Sequence, residues 1–186
     1  AGDGGAAMRH EVRFSGYGGQ GIILSSVILG RAAALYDGKY AVQTQVYGPE
    51  ARGGASMGQV VIDDEPILFP EVTDPDIYVI MSRQGFEKYG VHARKDAFML
   101  IDSDLVRSRP LCRCCEIPAT SEAKTNLGRE IVANIVMIGA LVAATGVVSR
   151  EAIERAVLDS VPKGTENLNS KALKRGFELG ERACNL

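Results

Sequence analysis

The sequence predicts an α/β protein built around a mostly parallel, mixed sheet with helices on both faces. Residues 77–82 and 97–101 are continuous apolar runs, which are typical of parallel strands buried on both sides. Stretches with helical periodicity alternate with such runs, as expected of an α/β fold. Residues 55–62 alternate in strand fashion, and a short polar turn joins them to the apolar residues 67–69. We therefore expect an antiparallel hairpin beside the parallel strands.

The first predicted strand leads directly into a glycine-rich turn. Val12 and Phe14 alternate with Glu11 and Arg13, the period of a half-buried strand, and a largely buried helix follows the turn. Glycine permits the positive φ values of a tight turn, and the free N–H groups at a helix start attract anions. The turn residues that we predict to bind a ligand or a partner subunit are Gly16, Gly18, Gly19, Gln20 and Gly21.

The spacing of these glycines also fits the dinucleotide-binding fingerprint Gly-x-Gly-x-x-Gly. That fingerprint requires an acidic side chain about 20 residues further on, at the end of the second strand, to hold a ribose hydroxyl. Asp37 has this spacing but precedes the second predicted strand, Tyr40–Val46, which ends without a carboxylate. A Rossmann-like dinucleotide-binding module of an oxidoreductase is therefore the alternative function.

A second polar loop follows the second predicted strand. Within eight residues it carries a carboxylate, a guanidinium, a phenol and three glycines, and functional residues concentrate on such loops. The competing interpretation is a solvated turn without a specific partner. The loop residues that we predict to bind a ligand or a partner subunit are Tyr47, Gly48, Glu50, Arg52, Gly53 and Gly54.

Residues 131–148 contain no charged side chain, yet we expect a buried helix rather than a membrane span. Asn134 and Gly139 interrupt the apolar run, and Gly146 is suited to end the helix. Ser149 and Thr165 are predicted to cap the two helices that follow. The last helix should present the stripe Leu168, Ala172, Gly176, Leu179 and Ala183.

The composition limits the classes of function that fit. A chain of 186 residues, 46% hydrophobic and with a net charge of −2, is expected to form one domain over residues 8–186. This balance gives no basic surface for nucleic acid or a membrane. Residues 1–7 lack the apolar core of a signal peptide and are interpreted as a flexible leader or an expression remnant, and the cytoplasm is the expected location.

The four cysteines and two histidines form no recognisable metal or catalytic pattern. The spacing of Cys112, Cys114 and Cys115 suits neither zinc nor an iron–sulfur cluster, and the remaining cysteine, Cys184, is distant in sequence. We expect these side chains to pack as small apolar groups without a disulfide, because the cytoplasm is reducing, and metal binding is the alternative. We also predict no catalytic residues, since no nucleophile–base arrangement is evident.

The two glycine-rich loops, in this order and together with the helix around residues 134–140, form a specific combination. The glycine turn, followed after the second strand by Tyr47-Gly48-x-Glu50-x-Arg52-Gly53-Gly54, resembles the gamma subunit of 2-oxoacid:ferredoxin oxidoreductases. These enzymes act on pyruvate, 2-ketoisovalerate or 2-oxoglutarate, and single-chain pyruvate:ferredoxin oxidoreductases contain the same module as a domain. Pro75-Asp76 and the helix around residues 134–140 are part of the resemblance, which covers essentially residues 8–184. It implies a three-layer α/β/α fold with a mixed sheet.

The resemblance implies one part of a multi-subunit enzyme. Alpha, beta and delta-type subunits would carry thiamine diphosphate and iron–sulfur clusters, decarboxylate a 2-oxoacid to an acyl-CoA and reduce ferredoxin. This chain would bind no cofactor of its own and would be inactive alone. We expect the two glycine-rich loops to lie side by side at the carboxyl edge of the sheet, where they would help enclose CoA or line a subunit seam.

A scaffold that only joins subunits is a third interpretation. In that case the helix at 131–148, with Gly139 allowing a close approach, would form a contact between subunits or between copies of the chain, and the chain would form a homo-oligomer in the latter case.

Overall fold

The computed structural model describes residues 8–46 and 54–184, and within these ranges six strands form one mixed sheet. The strands in chain order are β1 (His10–Tyr17), β2 (Tyr40–Val46), β3 (Ala55–Asp63), β4 (Ile77–Ile80), β5 (Phe98–Asp102) and β6 (Arg113–Ile117). They lie in the order β2-β3-β1-β4-β5-β6. Strands β1, β4, β5 and β6 are mutually parallel, whereas β3 is antiparallel to both β1 and β2.

Six helices accompany the sheet in the described ranges. They are α1 (Ile22–Arg31, continued by a π-helical turn at Ala32–Tyr36), α2 (Arg83–Gly85, continued by a π-helical turn at Phe86–Gly90), α3 (Ala119–Thr125), α4 (Ala133–Thr145), α5 (Arg150–Ser160) and α6 (Glu166–Ala183). The core around Val12, Phe14 and Val79 includes residues of α1 and α3 to α6, whereas Tyr78, Ile80 and Phe86 belong to a smaller core on the other face. The predicted α/β architecture is confirmed.

The predicted hairpin between residues 55–62 and 67–69 is wrong. Both edges of β3 are already paired, one with β1 and the other with β2, so no ladder position remains for residues 67–69. Side chains hold the segment after β3 instead. Arg9 Nη2 donates to the carbonyl oxygen of Phe69 at 2.9 Å, and Glu11 Oε2 accepts from the backbone nitrogen of Asp74 at 3.2 Å.

Helix α4 is buried, and glycines bring it into close contact with α6. A Cβ on Gly139 would overlap the backbone oxygen of Leu173, and a Cβ on Gly180 would lie 2.7 Å from the oxygen of Ala140. The close approach that Gly139 permits is therefore intramolecular, and its assignment to a contact between subunits is wrong. No helix in the described ranges combines the length and the apolar character needed to span a membrane.

The predicted helix ends are mostly confirmed. Gly146 ends α4 in the left-handed conformation with φ 63°. Ser149 Oγ accepts from the backbone nitrogen of Ala152 at 3.1 Å and caps α5. Thr165 occupies the N-cap position of α6 without a capping bond, because its hydroxyl donates to the carbonyl oxygen of Pro162 at 2.6 Å.

The predicted stripe on α6 is displaced from the face that the helix buries. Ala172 and Gly176 are buried as expected, but Ala183 is exposed. The buried face consists of Asn169, Ala172, Leu173, Gly176, Phe177 and Gly180.

The expectation that no disulfide forms is wrong for one pair of cysteines. Cys115 on β6 is bonded to Cys184 at the end of α6, with the two Cα atoms 5.8 Å apart. Cys112 and Cys114 remain free. Folding brings together two residues that lie 69 positions apart, a proximity that the sequence spacing does not reveal.

Candidate functional site

The glycine-rich turn is fixed by the side chain of Gln20. Its Oε1 accepts from the backbone nitrogen of Tyr17 at 2.6 Å, and its Nε2 donates to the carbonyl oxygen of Met81 at 3.0 Å. Because Met81 follows β4, Gln20 joins the turn to the neighbouring parallel strand. Gln20 thus has a positioning role in the turn, which sequence reasoning could not distinguish from ligand binding.

Two different physical requirements, close packing and positive φ angles, explain the glycines of the turn. A Cβ on Gly16 would lie 2.6 Å from Cδ1 of Ile22, and a Cβ on Gly21 would overlap the amide of Asn134, so these two permit close packing. Gly19 and Gly21 adopt φ values of 93° and 74°. Nothing lies within 4 Å of a Cβ built on Gly19, so this part of the turn faces open space. The turn therefore offers an accessible backbone at the start of α1.

A cavity of about 590 Å³ lies beside the turn, and we call it the turn cavity. Gly18 and Gly19 form one side of it, and residues from the starts of α1, α4 and α6 form the others. The apolar residues of its wall include Ile22, Ile23, Leu24, Ile131, Ile135 and Leu168. An apolar cavity with a few polar groups is the usual form of a small-molecule site.

Three polar residues of the turn cavity were not predicted from the sequence. Asn134 and Asn169 are 4% and 6% exposed, and Arg129 has no ion-pair partner among the described residues. The Nδ2 of Asn134 approaches the carbonyl oxygen of Gly21 at 3.4 Å, whereas that of Asn169 donates to the backbone oxygen of Thr165 at 3.0 Å. The sequence did carry a signal for Asn134, because Asn134 is a polar residue inside the uncharged run at 131–148.

A smaller cleft of about 250 Å³ lies on the other side of Gly19 and Gln20, where Thr120 and Glu130 contribute to its wall. Behind Thr120 lies the buried carboxylate of Asp102, which accepts from the Thr120 hydroxyl at 2.6 Å. Burial raises the pKa of Asp102 to about 6, although the hydrogen bonds from Thr120 and Asp104 oppose this rise. Asp102 holds the start of α3 and does not line either space.

The second glycine-rich loop lies mostly outside the described residues. This applies to Tyr47, Gly48, Glu50, Arg52 and Gly53, whereas Gly54 is described and precedes β3.

The residues on either side of that loop lie at the same edge as the glycine turn. Val46 and Ser15 both pair with Met57, and Ala55 pairs with Tyr17. β1 and β2 are not neighbours, however, because β3 lies between them. Ser56 of β3 also lines the turn cavity. Close contact between the two loops stays a prediction.

The topology does not support the dinucleotide alternative. A Rossmann unit requires that the first two strands be parallel neighbours, and here an antiparallel strand separates them. Asp37, which has the spacing of the ribose-binding acid, accepts from the backbone nitrogen and the hydroxyl of Ser149, each at 2.6 Å. Its carboxylate is therefore engaged in holding the start of α5.

The cysteines of the chain do not provide an iron–sulfur donor set. Cys115 and Cys184 are bonded to each other, which leaves two free thiols. Among residues 8–46 and 54–184, no group of three or more His, Cys, Asp or Glu side chains is arranged to hold a metal ion. A four-cysteine cluster would need ligands that this chain does not bring together.

Comparison with known proteins identifies the family. The family model of pyruvate ferredoxin/flavodoxin oxidoreductase matches residues 11–179. The 2-oxoglutarate synthase subunit KorC of Methanocaldococcus jannaschii is 54% identical over 178 residues, which cover 94% of this chain and 95% of that protein. The pyruvate synthase subunit PorC of Methanothermobacter marburgensis is 33% identical, with 90% and 96% covered.

A solved structure agrees with these relatives. The gamma subunit of a keto/oxoacid ferredoxin oxidoreductase from Geobacter sulfurreducens superposes with a TM-score of 0.85 at 46% identity, covering 94% of this chain and 99% of its own. The chain therefore belongs to the pyruvate ferredoxin/flavodoxin oxidoreductase family, as a subunit of the gamma type.

Proposed function

We propose that this chain is the gamma subunit of a 2-oxoglutarate:ferredoxin oxidoreductase. The observation that carries the choice of 2-oxoacid is the greater identity to the 2-oxoglutarate synthase subunit than to the pyruvate synthase subunit. The complex would convert the 2-oxoacid and CoA into an acyl-CoA and CO₂, and ferredoxin would accept the electrons.

The partners in this proposal are alpha, beta and delta-type subunits that carry thiamine diphosphate and iron–sulfur clusters. The single domain over residues 8–186 would act in the cytoplasm and bind no cofactor permanently. In this proposal the chain contributes a surface that binds a ligand or a partner, and it contributes no groups that react with the substrate. We infer that the carboxyl edge of the sheet faces the thiamine-bearing subunits and helps enclose CoA.

Three features of the described residues support an anionic, partly apolar ligand at this edge. The accessible backbone at Gly18 and Gly19 precedes the positive end of the α1 dipole, which favours phosphate groups. Arg129 adds a cation at the rim. The apolar wall suits the hydrocarbon portions of the pantetheine arm.

The second loop would complete this site. Arg52 has a guanidinium fork suited to a phosphate or a carboxylate, and Glu50 would orient it or meet a basic group on a partner. The competing role for both side chains is a set of structural bonds at a subunit seam.

The test is the steady-state kinetics of the reconstituted complex with Arg52→Ala or Arg129→Ala. If these residues contact CoA, its KM should rise about tenfold or more, because a charge-assisted hydrogen bond contributes about 1.5–3 kcal/mol. The matched control is Arg107→Ala, since Arg107 lies beyond β5 and lines neither space at the glycine turn. Unchanged CoA kinetics in an intact complex would remove the CoA role, whereas dissociation of the complex would favour the seam.

The choice of 2-oxoacid has a separate test. The wild-type complex should show a kcat/KM for 2-oxoglutarate at least tenfold above that for pyruvate. A preference for pyruvate would overturn the assignment of the substrate without affecting membership of the family.

A further inference from the structure

Residues 66–70, which we call the apolar knob, expose two adjacent large apolar side chains. Leu68 is 81% exposed and Phe69 is 77% exposed. Ile67 and Val72 in the same segment are partly buried, so the segment has other apolar side chains that hold it against the protein. Single exposed apolar residues are common on protein surfaces, whereas apolar neighbours that form one patch mark contact sites. Leu68 and Phe69 are therefore candidates for a contact outside this chain.

Side chains at the start of β1 hold the knob in one position. Arg9 Nη2 donates to the carbonyl oxygen of Phe69 and to Glu11 Oε1, each at 2.9 Å. Glu11 Oε2 accepts from the backbone nitrogen of Thr73 at 3.2 Å. The knob begins and ends with proline, which fixes φ at both positions. Because its backbone is already fixed, the knob loses little conformational entropy when a partner covers its side chains.

The knob is flanked by acidic residues. Residues 63–76 contain six Asp or Glu residues and neither Lys nor Arg. Three of the aspartates face basic side chains elsewhere in the chain. Glu65 and Glu71, which stand directly before and after the knob, are exposed, and neither forms an ion pair in the part of the chain that the structure describes. The patch is thus an apolar centre with an uncompensated negative rim.

The knob and the glycine turn lie at opposite ends of β1. Arg9, which holds the knob, precedes His10 at the start of the strand, whereas the turn follows Tyr17 at its end. A contact at the knob therefore leaves the turn and its cavity accessible.

We propose that the apolar knob inserts into an apolar recess bordered by Lys or Arg side chains on another subunit of the oxidoreductase complex. A gamma-type subunit is one part of a larger complex, so other subunits are its constant neighbours. An apolar anchor inside a polar rim is the usual arrangement of a strong protein contact. The negative rim attracts a basic surface and disfavours nucleic acid, anionic membranes and acidic proteins. This contact follows from membership of the family and is independent of a role in CoA binding.

A second copy of the chain fits the knob less well. Most contacts between copies are two-fold symmetric, and a two-fold contact at the knob would bring its negative rim against the same rim of the other copy. Like charges that meet in this way oppose association. The charge of the rim therefore favours a different subunit as the occupant.

The first test is the dissociation constant of this chain from the assembled complex, measured by diluting the complex and counting its subunits by mass photometry. Leu68→Ser and Phe69→Ser together should raise this constant at least about 100-fold, because two apolar anchors lose their contact. Leu111→Ser is the matched control, since Leu111 is 87% exposed but lies next to β6, at the far edge of the sheet. Circular dichroism should show that all variants keep the fold of the wild type. A constant within about twofold of the wild type in the double variant, or an equal loss in Leu111→Ser, would overturn the proposal.

The second test changes the rim and leaves both anchors in place. Glu65→Lys with Glu71→Lys should raise the dissociation constant at least about tenfold at about 50 mM salt, because the positive rim repels a basic partner. Raising the salt to about 500 mM should weaken the wild-type complex but should not weaken that of the double variant. Glu154→Lys, at an exposed position on α5 outside residues 63–76, should behave as the wild type. Unchanged or tighter binding by the double lysine variant would overturn the basic border of the recess.

A photoreactive benzophenone side chain in place of Phe69 identifies the occupant. Irradiation of the purified complex should join this chain to one other subunit, and the joined peptide of that subunit should lie beside Lys or Arg residues. A product with twice the chain mass of 19.9 kDa would assign the knob to a second copy, and a joined peptide surrounded by acidic residues would contradict the charge argument. Either result would overturn the proposal.

Discussion

Loss of the Cys115–Cys184 bond should lower the stability of this chain by an amount that its sequence separation predicts. The bond closes a loop with a separation of 69 residues. In the chain-entropy account, a loop of about 70 residues removes about 15 cal/mol/K from the unfolded ensemble, or about 4.4 kcal/mol at 25 °C. Observed contributions are typically about 2–4 kcal/mol. At about 2–4 °C per kcal/mol for a chain of this size, a loss of about 3 kcal/mol should lower Tm by about 6–12 °C.

The assay is thermal unfolding of the wild type and Cys184→Ala, each with and without a phosphine reductant. Reductant should lower the Tm of the wild type towards that of Cys184→Ala, and it should not change the variant. Cys114→Ala is the control, because Cys114 is free and burial raises its pKa to about 11, so its thiolate population at neutral pH is small. This variant should retain the full response to reductant.

Thiol counting provides the result that would refute this reasoning. Alkylation followed by mass spectrometry should detect two reactive thiols in the unfolded, unreduced protein and four after reduction. Four thiols without reductant would show that the bond does not form in solution. Two thiols together with an unchanged Tm on reduction would show that the bond forms but contributes no stability.

Three further predictions concern packing, the turn and pH. Gly139→Ala should cost about 1–3 kcal/mol in urea unfolding, because its Cβ would overlap the backbone of Leu173, and a neutral effect would contradict the α4–α6 packing. Gln20→Ala should accelerate amide exchange at Tyr17, and unchanged exchange would refute its positioning role. The pKa of Asp102 in the folded chain is raised to about 6, so its contribution to the free energy of unfolding is complete below about pH 4 and is lost as the pH rises through 6. Asp102→Asn should therefore gain stability relative to the wild type between about pH 4 and 6, by at most about 3 kcal/mol. A difference that is constant with pH would contradict the raised pKa.

The parts of the fold that the sequence predicts are those set by local physics. The alternation of Val12 and Phe14 identifies β1, and the positive φ values of Gly19 and Gly21 follow from the need for a tight turn before α1. Gly146 ends α4 for the same local reason. Each of these features depends on residues within one turn or one strand.

The features that sequence reasoning missed depend on pairing between distant segments. The alternation in β3 is equally compatible with pairing to residues 67–69 or to β1, and only the assembled sheet decides between them. Arg129 and Asn169 lie 40 residues apart in the chain, so no local pattern indicates that they share a cavity. The Cys115–Cys184 pair is hidden in the same way.

The contact between His10 and Asp76 lies at the opposite end of β1 from the glycine turn. His10 contacts a carboxylate oxygen of Asp76 through Nδ1 at 2.6 Å, at the start of β1. The glycine turn follows the other end of that strand, about 23 Å away for seven residue steps. The polar side chains among the described residues that line the turn cavity carry amides, a guanidinium and hydroxyls, which can donate or accept hydrogen bonds at this end of the sheet.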